Sequence, residues 1–217
     1  MSKAVLVRFS ILLLLISLAG VSSLHAQGVN AYFGMGTATD PATPIPLTLG
    51  GTSFPRSNMG GLFGVFGADF MITSHFGVGG EYAFRFAQAD YVTGVGLKAR
   101  PGFYDFNLVS QPWKESKLVV PVFQAGLGGA RVSYYVNQQT CSVLTGCSSA
   151  STLVDQSDHF QLHVAAGVQW HLTESVFLRP QVDVHWIHGF NDASAPVYDH
   201  NLVPQYTVAI GYTFGSR

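Results

Sequence analysis

From Phe160 the chain reads FQLHVAAGVQWHL. Phe160, Leu162, Val164, Ala166, Val168, Trp170 and Leu172 fall on one face, and Gln161, His163, Ala165, Gly167, Gln169 and His171 on the other. A period of two marks a β-strand with two unlike faces. After Thr173-Glu174-Ser175 the pattern resumes as VFLRPQVDVHWIH, in which Leu178, Pro180, Val182, Val184 and Trp186 oppose Arg179, Gln181, Asp183 and His185. Each run is about 13 residues, against roughly 5–6 for strands of globular proteins. The polar face is too rich for a soluble core, and the apolar face is too long to meet water. Lipid outside and polar filling inside satisfy both.

The rest of the chain divides in the same way. A first strand over Val29–Ala38 sets Val29, Ala31, Phe33 and Met35 against Asn30, Tyr32, Gly34 and Gly36. A second over Gly60–Ile72 puts Leu62, Phe66, Ala68, Phe70 and Ile72 outward with Asp69 opposite. A third over Phe76–Gln88 puts Phe76, Val78, Tyr82, Phe84 and Phe86 outward, with Glu81 and Arg85 inward. In a fourth, Leu97–Val109, Tyr104, Phe106 and Leu108 oppose Asp105 and Asn107, and Pro101-Gly102 predicts a bulge or edge irregularity. A fifth, Leu118–Tyr135, slips phase near Gly128-Gly129, which again predicts a bulge. The run from Phe160 and its successor are the sixth and seventh. The eighth, Leu202–Phe214, alternates Tyr206, Val208, Ile210, Tyr212 and Phe214 with Thr207, Ala209, Gly211 and Thr213.

Connections alternate in length. Thr73-Ser74-His75, Gln111–Lys117 and Thr173-Glu174-Ser175 are short. Asp40–Asn58, Ala89–Gly96, Val136–His159 and Asn191–Asn201 are longer. The expected fold is therefore all-β: a closed, antiparallel, up-and-down transmembrane barrel of about eight strands, with short turns on the periplasmic side and long loops outside. An even strand count returns both ends to the periplasmic side.

Composition sharpens this picture. Lys3 and Arg8 precede an apolar run over Phe9–Leu18, so residues 1–26 are expected to be a cleaved secretory signal peptide and residues 27–217 the barrel domain. Cleavage after Ala26 would put Leu24, larger than the preferred small residue, three positions before the cut. No later apolar run reaches the ~18 residues of a spanning helix. Removing Lys3 and Arg8 takes Lys plus Arg from 11 to 9 against 12 acids, a formal net charge of −3. That argues against nucleic-acid binding, which needs concentrated positive charge. Charged residues are only 11% of the chain, below the ~25% of an ordinary soluble domain. In an oxidising compartment Cys141 and Cys147 are expected to form a local disulfide.

The chain resembles the small eight-stranded outer-membrane barrels of the OmpA/OmpX type, the generic outer membrane protein β-barrel group. The resemblance rests on the strand pattern, on LRPQVDVHW at Leu178–Trp186, and on VAIGYTF at Val208–Phe214. It implies an outer-membrane location in a diderm bacterium. It also implies outer-membrane lipid and lipopolysaccharide as surroundings, and recognition of the closing Tyr212-x-Phe214 strand by the barrel-insertion machinery. The added Gly215-Ser216-Arg217 departs from a terminal aromatic.

The inward charged set is Asp69, Glu81, Arg85, Asp105, Arg131, Arg179 and Asp183, four acids against three bases. An eight-stranded barrel has room for side chains rather than a channel. These groups, with Gln169, Gln181, His163 and His185, are expected to form a lumen polar network, given space by Ala165, Gly167, Ala209 and Gly211. If the Thr173-Glu174-Ser175 turn pairs Leu172 with Val176, His163 faces His185. His171 lies eight residues from His163, roughly 27 Å along a strand, and cannot join them. Two imidazoles without a third ligand make a weak metal site, so neither metal nor cofactor is expected. A lipid-A deacylase-like site would need a lipid-facing His-x-Ser, which neither His185-Trp186-Ile187 nor His188-Gly189-Phe190 supplies. The expected function is non-enzymatic: a structural or surface-interaction barrel, with an external partner reached through the loops. A narrow porin-like passage or small-solute binder is the alternative, with a lipid-modifying enzyme behind it.

Overall fold

Alternation of apolar and polar residues decides where each backbone goes, because a strand in lipid must pair its N–H and C=O groups with neighbours on both sides. The computed structural model describes residues 28–39, 47–49, 52–54, 60–91, 96–113, 116, 118–142, 146–189 and 201–215, with side chains left aside at 47–49, 52–54, 138–142 and 146–149. The strands are β1 (Gly28–Ala38), β2 (Leu47–Leu49), β3 (Thr52–Phe54), β4 (Gly61–Met71), β5 (Phe76–Arg85), β6 (Ala89–Asp90), β7 (Leu97–Ser110), β8 (Val119–Ser142), β9 (Gly146–His171), β10 (Val176–Ile187) and β11 (Leu202–Phe214). Eight of them, β1, β4, β5 and β7–β11, form one antiparallel sheet that closes where β1 meets β11. The described residues contain no helix.

Two turns set the register and are built alike. Thr73 and Thr173 each turn Oγ1 toward the backbone N–H three residues on, Phe76 at 2.9 Å and Val176 at 3.0 Å. Leu172 N–H donates to Val176 O, which fixes His185 opposite His163 as expected. Pro180 lacks an N–H, and the β9–β10 ladder skips Arg179 and Pro180 without changing register.

Several local expectations are corrected. Gly128-Gly129 is not a bulge, and of the two alternatives at Pro101-Gly102 it is the edge irregularity that holds, since β7 and β8 pair without a slip from Leu97↔Val136 to Ser110↔Phe123. Pro101 lies where the neighbour of β7 changes from β5, last paired at Gly102, to β6, paired at Ala99. The glycines carry no side chain to mark a face, which is why the pattern looked shifted. The one register shift between β8 and β9 falls at Tyr134/Tyr135. Val136–His159 is also not a loop: β8 and β9 run on through it as a hairpin. The Asp40–Asn58 stretch contains the small β2–β3 hairpin. Residues 1–26 and 190–200 lie outside the described residues, as do the side chains of Cys141 and Cys147, although the two stand opposite each other in the ladder.

The outer wall is apolar. Phe33, Phe66, Phe106, Leu108, Leu127, Leu162, Val164, Val208 and Ile210 are all exposed there, and Phe66, Tyr82, Phe84 and Phe86 interlock edge to face or in offset stacks. Inside, apolar side chains cluster toward both ends of the barrel. Toward the hairpin, Ala38, Phe63, Val65, Ala83, Ala99, Phe103, Ala130, Val132, Ile187 and Val203 pack together, with Phe63 stacked on Phe103 at 5.7 Å. Toward the tight turns, Met71, Val109 and Val122 form one cluster, and Tyr32, Phe177 and Ala209 another. A polar belt lies between these layers.

Candidate functional site

The belt is assembled from inward positions on seven of the eight barrel strands. β4 supplies Asp69, β5 Glu81, β7 Asp105 and Asn107, and β8 Gln124. β9 supplies Gln161 and His163, and β10 supplies Arg179, Gln181, Asp183 and His185; all are buried. Tyr32 of β1 joins from below.

Arg179 is its one fully buried cation. Nη1 donates to Asp69 Oδ2 at 2.6 Å, and the guanidinium lies 4.4 Å from the centre of the Tyr32 ring. Asp69 also accepts Gln124 Nε2 at 3.1 Å. Tyr32 Oη donates to Glu81 Oε2 at 2.9 Å, and Gln181 Nε2 reaches both Glu81 and Asp183. A buried arginine held by a carboxylate and an aromatic face is well satisfied on those sides.

The histidine end differs. His163 stands between two oxygens, with Nδ1 2.9 Å from Asn107 Oδ1 and Nε2 3.1 Å from Asp183 Oδ1. His185 stacks between Phe103, at 4.7 Å, and His163, at 4.9 Å, and neither of its ring nitrogens has a hydrogen-bond partner. Asp105 accepts Gln161 Nε2 on one oxygen and brings the other to 3.8 Å from His185 Nδ1.

Eight of the ten network residues expected from the sequence meet in this belt: Asp69, Glu81, Asp105, His163, Arg179, Gln181, Asp183 and His185. Two lie elsewhere. Arg85 is half-buried at the hairpin-side rim against Gly61, and Gln169 sits below the belt, where it accepts Gln111 Nε2 at 3.2 Å. Arg131 is a correction. With no slip at Gly128, its position on β8 faces outward, and it pairs with Asp158 at 2.7 Å on the exterior. Gln124 and the Asp105–histidine approach were missed. The first is an uncharged amide on a strand whose other inward residues are small or apolar, and the second crosses strands that local periodicity does not connect.

The space expected from small residues is real but differently used. A Cβ on Gly211 would meet the Phe177 ring, not a polar chain, and one on Gly67 would meet the Tyr32 ring at 2.5 Å.

Two solved structures share this architecture. One is the outer membrane protein OprG from Pseudomonas aeruginosa, at 16% identity over 88% of this chain and 98% of that one, with a TM-score of 0.53. The other is Neisserial surface protein A, at 15% identity over 86% of this chain and 96% of that one, with a TM-score of 0.51. At these identities the likeness is one of fold: the chain has the closed eight-stranded barrel of small outer-membrane proteins. No known family profile matches the chain, and no curated protein does.

Proposed function

We propose that the protein is a non-catalytic outer-membrane barrel of structural or surface-interaction type, its β8–β9 hairpin serving as the external contact element. The carrying observation is the packed interior: apolar side chains cluster toward both ends and buried polar side chains bond across the middle. Such a barrel anchors and presents rather than conducts. The hairpin supports presentation. β7 pairs with β8 only as far as Val136, and β10 pairs with β9 only from Gln161, so the outer parts of both strands extend past the barrel wall. Its exposed face includes Leu153, Val154, Asp155 and Gln156.

The supporting case for location combines the lipid-type outer wall, the barrel fold and the basic-then-apolar start of the chain. Lipid and lipopolysaccharide would surround the wall, and the Tyr212-x-Phe214 strand would be the segment read during insertion. A second reading, a narrow solute passage, draws on the belt atoms without hydrogen-bond partners, among them Glu81 Oε1, Gln124 Oε1 and Arg179 Nη2. Planar-bilayer recording of the refolded barrel separates the two. The anchoring reading expects no resolved conductance steps, and reproducible single-channel steps would sink it in favour of the passage.

A further inference from the structure

We propose that the barrel lumen holds one divalent first-row transition-metal ion, bound by Asp105, His163 and His185. Three observations converge on this site. The first is geometric: one ligand-type atom from each of these three residues lies within 4.8 Å of the other two, and all three residues are buried. Two imidazoles and one carboxylate form a donor set suited to zinc, iron(II), cobalt(II) or nickel(II) rather than to calcium or magnesium.

The second observation is His185 itself. It is completely buried, yet neither ring nitrogen is hydrogen-bonded. A buried imidazole in that condition forgoes the hydrogen bonds it would make in water, and native interiors rarely leave polar groups so. Ring stacking against Phe103 and His163 holds it, with the buried Gln205 amide beside it and Asp105 at 3.8 Å, neither in ordinary hydrogen-bond geometry. The two histidine rings are 18° from parallel. Nitrogen lone pairs lie in the ring plane, so coordination requires one ring to turn. His185 is the ring with less to lose, since turning it gives up stacking and the Gln205 contact but no hydrogen bond of ordinary geometry. His163 has an oxygen at each ring nitrogen, Asn107 Oδ1 at Nδ1 and Asp183 Oδ1 at Nε2, so the metal would take the place of one of these contacts while the other orients the ring.

The third observation is charge. Asp69, Glu81, Asp105 and Asp183 are all buried in the belt, whereas Arg179 is the single fully buried cation there, and it is committed to Asp69. With Arg131 outside the wall and Arg85 at the rim, the lumen is no longer near neutrality. The acids nearest the histidines have no arginine or lysine among the described residues at hydrogen-bond distance. Buried carboxylates held by amides without an arginine or lysine partner remain costly, and a divalent cation among them offsets that cost.

The test uses untagged full barrel, refolded into detergent with cobalt(II) present so that a closed lumen does not block entry, then desalted. The expected result is one cobalt per chain with ligand-field absorption in the visible, displaced when the protein is refolded with excess zinc(II). His185→Phe keeps the ring stack and removes both nitrogens, and Asp105→Asn keeps the shape and removes the charge. Each should lower cobalt affinity at least tenfold while far-ultraviolet circular dichroism stays that of the folded barrel. Cobalt retained equally by both variants would assign it to surface histidines and overturn the site. Should neither variant fold, X-ray absorption on the wild-type protein decides. Scattering from two imidazoles supports the site, whereas a shell with one or none, or no stoichiometric cobalt after desalting, overturns it.

Discussion

Single positions in the lumen differ in what they cost to change. Gly67 leaves the space that the Tyr32 ring fills, since an added Cβ would come within 2.5 Å of the ring. Gly67→Ala must push the ring aside and loosen its hydroxyl from Glu81, and overpacking of this kind costs about 1–3 kcal/mol. Urea unfolding in lipid vesicles should register that loss, and Tyr32→Phe in the same background should recover part of it by removing the hydroxyl that the added Cβ would meet. Arg179 is more consequential because it neutralises Asp69 where both are buried. Arg179→Met strands a carboxylate, a change that costs about 3–5 kcal/mol when a buried pair loses one partner. Adding Asp69→Asn should recover most of that loss. An unfolding cycle in which the double variant is as weak as the single would contradict the pairing.

Strands respond according to face. Val164 is exposed to the lipid side in the part of β9 that pairs with β10, whereas Gln169 is buried. Val164→Arg should destabilise the barrel by about 2–4 kcal/mol, the range for an arginine near the bilayer midplane. Gln169→Asn, which keeps an amide facing Gln111, should cost far less in the same folding titration. Equal responses from the two faces would contradict a lipid-facing wall. The β8–β9 hairpin carries a second element-scale prediction. Cys141 and Cys147 are ladder partners, and directly opposed residues have Cα separations of about 4.5–5.5 Å, within disulfide reach. We expect a bridge, read as a two-hydrogen mass deficit in unreduced protein. The closed loop is short, so replacing both residues with serine should leave the barrel folded and change only the protease sensitivity of the hairpin.

At the scale of the whole molecule, closure joins the ends of the described chain, since Val29 pairs with Phe214. The 72–75 and 172–175 turns therefore lie at the same end as residues 28 and 215, and the long hairpin at the other. An epitope inserted between Ser142 and Gly146 should be labelled on intact cells. One inserted at Ser74 should be labelled only after the outer membrane is breached. The reverse pattern would invert the proposed orientation. On the anchoring reading, neither insertion should open a conducting path.

The sequence alone determined the wall, because the strand period is local. Each residue's parity follows from its neighbour's, so Phe160 to Leu172 and Leu202 to Phe214 could be sorted into lipid and lumen faces without knowing their partners. Register across a tight turn is nearly as local, and so His163 could be set against His185 from the length of one turn. Parity fails where side chains are missing: at Gly128-Gly129 nothing marked the face, a slip was inferred, and Arg131 was placed inside. The strand character of Val136–His159 was also hidden, since a polar hairpin clear of lipid needs no apolar face to declare itself. Which groups meet across the lumen was decided only by closure. Arg179 finds Asp69, and Asp105 of β7 approaches His185 of β10, through the curvature and stagger of the whole barrel, a relation between strands that no single strand encodes.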